Sequence, residues 1–230
     1  MQFFDPAILH AGQYHDWLVQ GLVLSIQLTV ISFVFALPLG ALVAVMRTST
    51  STPLRAAGAA FVEAIRNVPL LAHLLFWYFA FPELLPDAAR ELLYANNPEV
   101  VCAVIALTLY AGVHMAEDIR SGIRAVPRTQ LEAARSLGLG RIAAVRLVLL
   151  PQSIRIAVPP LLSQTVNLWK DTSVATVIGA AEMMYQAARV ETATFRSVEA
   201  FTFATLAYLT VSLAISLAAQ LYARRFPVRT

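Results

Sequence analysis

Few residues in this chain have side chains able to do chemistry, and most of them lie where water is scarce. Lys170, the single lysine, stands next to Asp171 in an otherwise apolar stretch that also carries Gln164, Thr165, Asn167, Thr172 and Ser173. At about 100° per residue, Gln164, Asn167 and Asp171 share one face of a helix, and Lys170 lies three residues from Asn167. A charge buried in hydrocarbon costs roughly 2.5–3.5 kcal/mol, so such residues face a protein interior or a water-filled cavity. Gln164, Asn167, Lys170, Asp171 and Ser173 therefore either line a path or knit this helix to a neighbour, and both readings stay open. Glu63 and Arg66, at (i, i+3), are spaced to pair, as a structural ion pair or as part of a gate. Glu117, Asp118 and Arg120 read as charges paired locally at the end of an apolar segment. His10, His15, His73 and His114 show no metal-ligand spacing, and the lone Cys102 lies in an apolar run. No metal site and no catalytic group is expected.

The elements that position these residues follow from composition. Hydrophobic residues make up 58% of the 230, charged residues 13%, and mean hydropathy is +0.66. Soluble domains carry roughly twice that charge, about 25%. A membrane-spanning helix needs about 20 mostly apolar residues. Five stretches qualify: 19–46, 59–81, 100–118, 156–179 and 200–223. The expected fold is an all-α membrane protein, one transmembrane domain over residues 1–230. Phe76, Trp77, Tyr78, Phe79 and Phe81 read as an interfacial aromatic belt at the end of the second span.

Arginine placement sets the orientation. The 47–58 connection, the 120–155 segment and the tail (Arg224, Arg225, Arg229) hold twelve of the seventeen basic residues. The opposite connections hold Arg90, Arg189 and Arg196 beside seven acids, Glu182 among them, and the first twenty residues hold Asp5 and Asp16 with no Lys or Arg. By the positive-inside rule the N-terminus lies outside and the C-terminus inside. No cleaved signal is expected, because the start lacks a basic region.

The cytoplasmic segment 120–155 is too patterned for a connector. Pro127 can open a helix, Leu131, Ala134 and Leu137 recur on one face, and Gly138 and Gly140 can end it. A surface helix of about 11 residues is expected. A second amphipathic piece, Ile142–Leu150, should stop at Pro151.

Within this segment Glu132-Ala133-Ala134, Gly138 and, nine residues on, Val148-Leu149-Leu150-Pro151 resemble the EAA signature of ABC importer permeases, with Val148 where Ile is usual. Phe61–Leu71, Leu109–Gly112, Glu117–Ile123, Pro159–Leu161, Lys170–Ser173 and Val177–Gly179 are similar to the polar amino-acid uptake group of those permeases. The resemblance implies a type I ABC importer-like fold whose coupling helix carries Leu131, Glu132, Ala133, Ala134, Leu137 and Gly138 ahead of Pro151. It implies that this helix fills a groove on an ATPase subunit and acts as a rigid lever. The implied partners are ATPase subunits, a second permease chain forming a homo- or heterodimer, an extracytoplasmic amino-acid-binding protein and membrane lipid, with no nucleic acid. The implied place is the bacterial inner membrane, multi-pass. The chain has no Gly-x-x-x-x-Gly-Lys-Ser/Thr loop, so no cofactor is expected in it, and ATP and Mg belong to the partner ATPase. The expected function is uptake of a polar amino acid, with glutamate/aspartate as the suggested substrates. The alternative is an ion-gradient-driven secondary transporter of small polar solutes, which leaves the EAA pattern unexplained.

Overall fold

The computed structural model describes residues 12–226, so Asp5, His10 and Arg229 lie outside the described residues. Every regular element among them is helical. In chain order these are α1 (Gln13–Thr48), α2 (Thr52–Arg66), α3 (Leu70–Leu75), α4 (Asp87–Tyr94), α5 (Pro98–Ala125), α6 (Arg128–Ser136), α7 (Arg141–Ala144), α8 (Leu150–Asp171), α9 (Met183–Thr194) and α10 (Ser197–Arg225). Single π-helical turns occupy Phe76–Ala80 and Val145–Leu149, and 3-10 turns occupy Phe81–Leu84 and Thr172–Ile178.

Helix α5 is the centre, packed on one side by α1 and on another by α8. Between helices in lipid there is little hydrophobic drive, so close approach of small residues carries the packing. The buried face of α1 is built that way: Gly21, Ser25, Leu28, Thr29, Ser32, Ala36 and Gly40. A Cβ on Gly40 would stand 2.9 Å from the Gly112 carbonyl, and one on Gly122 would stand 2.9 Å from the Ser153 carbonyl of α8. The backbones of α1, α5 and α8 touch at these points, and a larger residue would wedge them apart.

Among the described residues four helical stretches are long and apolar enough to cross a membrane: Gln13–Thr48, Pro98–Ala125, Arg141–Ile178 and Ser197–Arg225. The expected span 59–81 is not one straight helix. It breaks into Thr52–Arg66 and Leu70–Leu84, bent by 94°. The cause is Pro69, which offers no N–H and steers Val68 away from helical torsions. The corner is secured locally. Asn67 Nδ2 donates to the Glu63 carbonyl at 2.9 Å, and His73 Nε2 donates across the bend to the Ile65 carbonyl at 3.0 Å.

The second amphipathic piece is also corrected. Pro151 ends nothing: Arg141 to Ile178 forms one rod of 38 residues. The π turn just before Pro151 lets the Leu150 N–H reach the Val145 carbonyl, and Ser153 Oγ donates to the Leu149 carbonyl at 2.7 Å. This wider turn absorbs the disruption a proline would otherwise cause. Residues 141–155 thus belong to the fourth span's helix and leave only a short turn around α6.

Candidate coupling surface and path

Helix α6 hangs between two long helices, the end of α5 and the start of the Arg141–Ile178 rod. It has 9 residues, with Pro127 just ahead as its N-cap at φ −59° and ψ 137°. At its end the Gly138 N–H donates to the Arg135 carbonyl at 3.0 Å and the Leu139 N–H to the Ala134 carbonyl at 3.1 Å. This pair of bonds is the Schellman arrangement, and it needs a left-handed residue, supplied by Gly138 at φ +87°. The turn folds Arg141–Leu149 against α6.

That fold-back splits the expected apolar stripe. Ala134 is 5% exposed, on the side of α6 turned toward its own chain, while Leu137 lies beyond the helix end and is 86% exposed. Leu131 is half-buried, and Glu132, Ala133 and Gly138 are exposed. The surface left for a partner is Glu132, Ala133, Leu137 and the neighbouring Ile142, 83% exposed. Leu131, Ala134 and Leu137 do not present one apolar face.

The polar face of α8 is partly assembled. Asn167 Nδ2 donates to Gln164 Oε1 at 3.2 Å, with Gln164 buried and Asn167 exposed. Lys170 is exposed, and Asp171 is half-buried on the next turn of the face, within electrostatic reach of His114 on α5. Ser173 lies past the end of α8 in the 3-10 turn, where its Oγ donates to the Lys170 carbonyl at 2.7 Å. Asn167 also lines an open groove of about 380 Å³ between α8 and α10, with Ser163, Ser216 and Gln220. Only 17% of the rod's most apolar stretch is buried within the chain. A helix carrying Asn167 and Lys170 on its open side needs water or protein there rather than lipid.

The Glu63–Arg66 pair does not form. Both residues are exposed, and the Glu63 carboxylate accepts instead from Asn67 Nδ2 at 2.8 Å, because Asn67 caps α2 one turn on from Glu63. The ion pairs at the α6 end of the molecule lie elsewhere. Glu117 on α5 takes Arg47 at the end of α1 on Oε1, while Arg120 Nε donates to both oxygens, at 3.2 Å and 3.0 Å, and Arg120 Nη2 to Oε2 at 2.5 Å. Local pairing of Glu117 with Arg120 was legible from spacing, whereas Arg47 is 70 positions away.

A second group escaped the sequence reading altogether. Glu182, assigned above to a solvent-facing connection, is 0% exposed. It caps α9 by accepting from the Tyr185 N–H at 2.9 Å, and Ser25, Thr176 and Tyr208 also donate to its carboxylate. Asp/Glu N-caps are a legible signal, but burial of this one depends on donors far along the chain.

Comparison with known proteins fits this architecture. The sequence profile of the family described as "Binding-protein-dependent transport system inner membrane component" matches residues 36–227. The glutamate/aspartate import permease protein GltJ of Escherichia coli (strain K12) is 32% identical over 227 residues, 97% of this chain and 92% of that protein. The probable glutamine ABC transporter permease protein GlnM of Bacillus subtilis (strain 168) is 38% identical over 189 residues, 82% and 83% of the two chains. A crystal structure of an amino acid ABC transporter with histidines aligns with a TM-score of 0.83 at 30% identity, covering 92% of this chain and 95% of that one. An inward-facing MetNI methionine ABC transporter shares the fold with a TM-score of 0.74 at 20% identity, covering 91% and 96%. With the family profile covering most of the chain and relatives matched over nearly their whole length, this protein belongs to the binding-protein-dependent transport system inner membrane components, the permease subunits of ABC importers.

Proposed function

We propose that this chain forms half of the path of an ATP-driven importer of polar amino acids, with glutamate and aspartate as substrates. The observation that carries the importer reading is α6: a short helix held between two membrane-length rods with Glu132 and Leu137 exposed. Such a helix transmits force from a docked ATPase to both rods at once. The substrate class is supported by relatives named for amino-acid import, GltJ among them. Gln164, Asn167, Lys170, Asp171 and Ser173 line the path in this reading. A second permease chain, identical or similar, covers the open face. ATP and Mg bind to the partner ATPase, a binding protein delivers the amino acid, and this chain carries no catalysis. The N-terminus faces outward and the C-terminus inward. The family membership does not favour the ion-gradient alternative.

The test is purification of the tagged chain with its companions, followed by reconstitution and ATPase assay with the binding protein and a panel of amino acids. Glutamate or aspartate should raise the rate and drive uptake. Glu132→Lys should abolish the stimulation or the assembly. Intact assembly and stimulation in Glu132→Lys would remove α6 from its role, and stimulation by another amino acid alone would correct the substrate.

A further inference from the structure

The joint between the polar end of α8 and helix α9 is built from two compliant links in succession. The first is the 3-10 segment Thr172–Ile178, a geometry weaker than the α-helix and frequent at hinges. The second is Gly179, at φ +84° with nothing near its missing Cβ. Such a joint would flex freely unless something bridged it.

Glu182 bridges it. Its Oε1 accepts from Thr176 Oγ1 in the 3-10 segment at 2.5 Å and from the Tyr185 N–H of α9 at 2.9 Å. Its Oε2 accepts from Ser25 Oγ on α1 at 3.2 Å and from the Tyr208 hydroxyl on α10 at 2.7 Å. Tyr208 passes the connection back across the joint. Its carbonyl accepts from Trp169 Nε1 at 3.1 Å, and the two rings lie 4.9 Å apart. Trp169 is 1% exposed, directly precedes Lys170, and its carbonyl receives Thr172 Oγ1 at 2.8 Å. One buried carboxylate thus ties together the last turn of α8, the segment after it, and α9. Charge-assisted bonds in a buried site are the strong class, and the penalty for leaving this carboxylate unpaired keeps all four donors in place.

We propose that Glu182 is a positioning residue that braces this joint, so that α9 and the polar end of α8 move as one body during transport. This rests on the importer reading above. Helix α9 packs on α1 through Gly21, at the end of α1 opposite to Arg47 and α6. A braced joint carries displacement of α8 to that far end, and a slack one loses it.

Glu182→Gln keeps the shape and removes the charge, and Tyr208→Phe deletes one donor with almost no change in volume. In the reconstituted complex, hydrogen exchange of residues 172–178 and 183–194 should accelerate together by about tenfold in Glu182→Gln, the worth of one charge-assisted bond, with α5 unchanged. Substrate-stimulated ATPase should fall about tenfold while the basal rate persists, and Tyr208→Phe should shift both readouts the same way by less. Exchange that rises in only one of the two segments, or in neither, overturns the brace. So does an equal fall of basal and stimulated rates, which is what a merely structural role gives. A wild-type complex with no substrate-stimulated ATPase would sink the importer reading instead, and the exchange pattern would still decide the brace.

Discussion

Glu117 holds two arginines from two helices, and its neighbourhood shows how one residue fixes the register of large elements. Arg47 and Glu117 keep 16% and 19% of their side-chain surface, so their attraction is only partly screened. Glu117→Ala would leave Arg47 and Arg120 facing each other without an anion. The expected cost is about 1–3 kcal/mol, below the range for fully buried pairs, read as a lower unfolding midpoint of the purified complex. Exchanging the charges in Arg47→Glu with Glu117→Arg restores the attraction between positions 47 and 117 but sets the new cation at 117 beside Arg120, so it should recover only part of the loss. Failure of the exchange to recover anything would assign the loss to packing. The pair spans 70 positions, and no local pattern announces it. Glu182 was illegible for the same reason, since its Ser25 donor lies 157 positions away. A lone acid in a turn reads as solvated until distant chain closes over it.

Elements with strong local signals were legible. The helices Gln13–Thr48, Pro98–Ala125 and Ser197–Arg225 contain the spans expected from apolar length alone, because a long apolar run has few alternatives in lipid. Helix α6 and its glycine stop were legible too, since Gly138 sits where a left-handed residue must follow the helix. The two misread element boundaries both involve proline. Pro69 was absorbed into an apolar run and in fact turns the chain by 94°, whereas Pro151 looked like a stop and was accommodated by a π turn. The difference lies in what the neighbouring donors do: Asn67 and His73 bond across a corner, whereas Ser153 beside Pro151 bonds back along the helix to the Leu149 carbonyl. Gly138→Ala tests the α6 turn. Open space surrounds its missing Cβ, so only the left-handed torsion is penalised, by about 1–2 kcal/mol. Stimulated ATPase should drop while the assembled complex keeps its subunits, and unchanged stimulation would show that the turn tolerates a frayed end.

For the molecule as a whole, two bulky apolar side chains mark opposite ends. Leu137 follows α6 and is 86% exposed, and Phe195, at φ +55° between α9 and α10, is 88% exposed. The native Cys102 is 0% exposed, so the chain carries a nearly silent thiol background. In intact cells an impermeant maleimide should label Phe195→Cys and spare Leu137→Cys until the membrane is opened. The reverse pattern would invert the orientation drawn from the arginines.

The rod Arg141–Ile178 has its own consequence. Its 38 residues span roughly 57 Å at about 1.5 Å each, well beyond a hydrocarbon layer of about 30 Å. Pro159 and Pro160 sit at its midpoint, with eighteen residues on either side. Two adjacent missing donors make this a soft place within the α-helical part of the rod, so bending concentrates there. The rod is therefore two arms of roughly 27 Å each joined at a compliant elbow. Part of any displacement at Arg141 is therefore taken up as bending at this elbow, and the two arms can point in different directions while each stays helical.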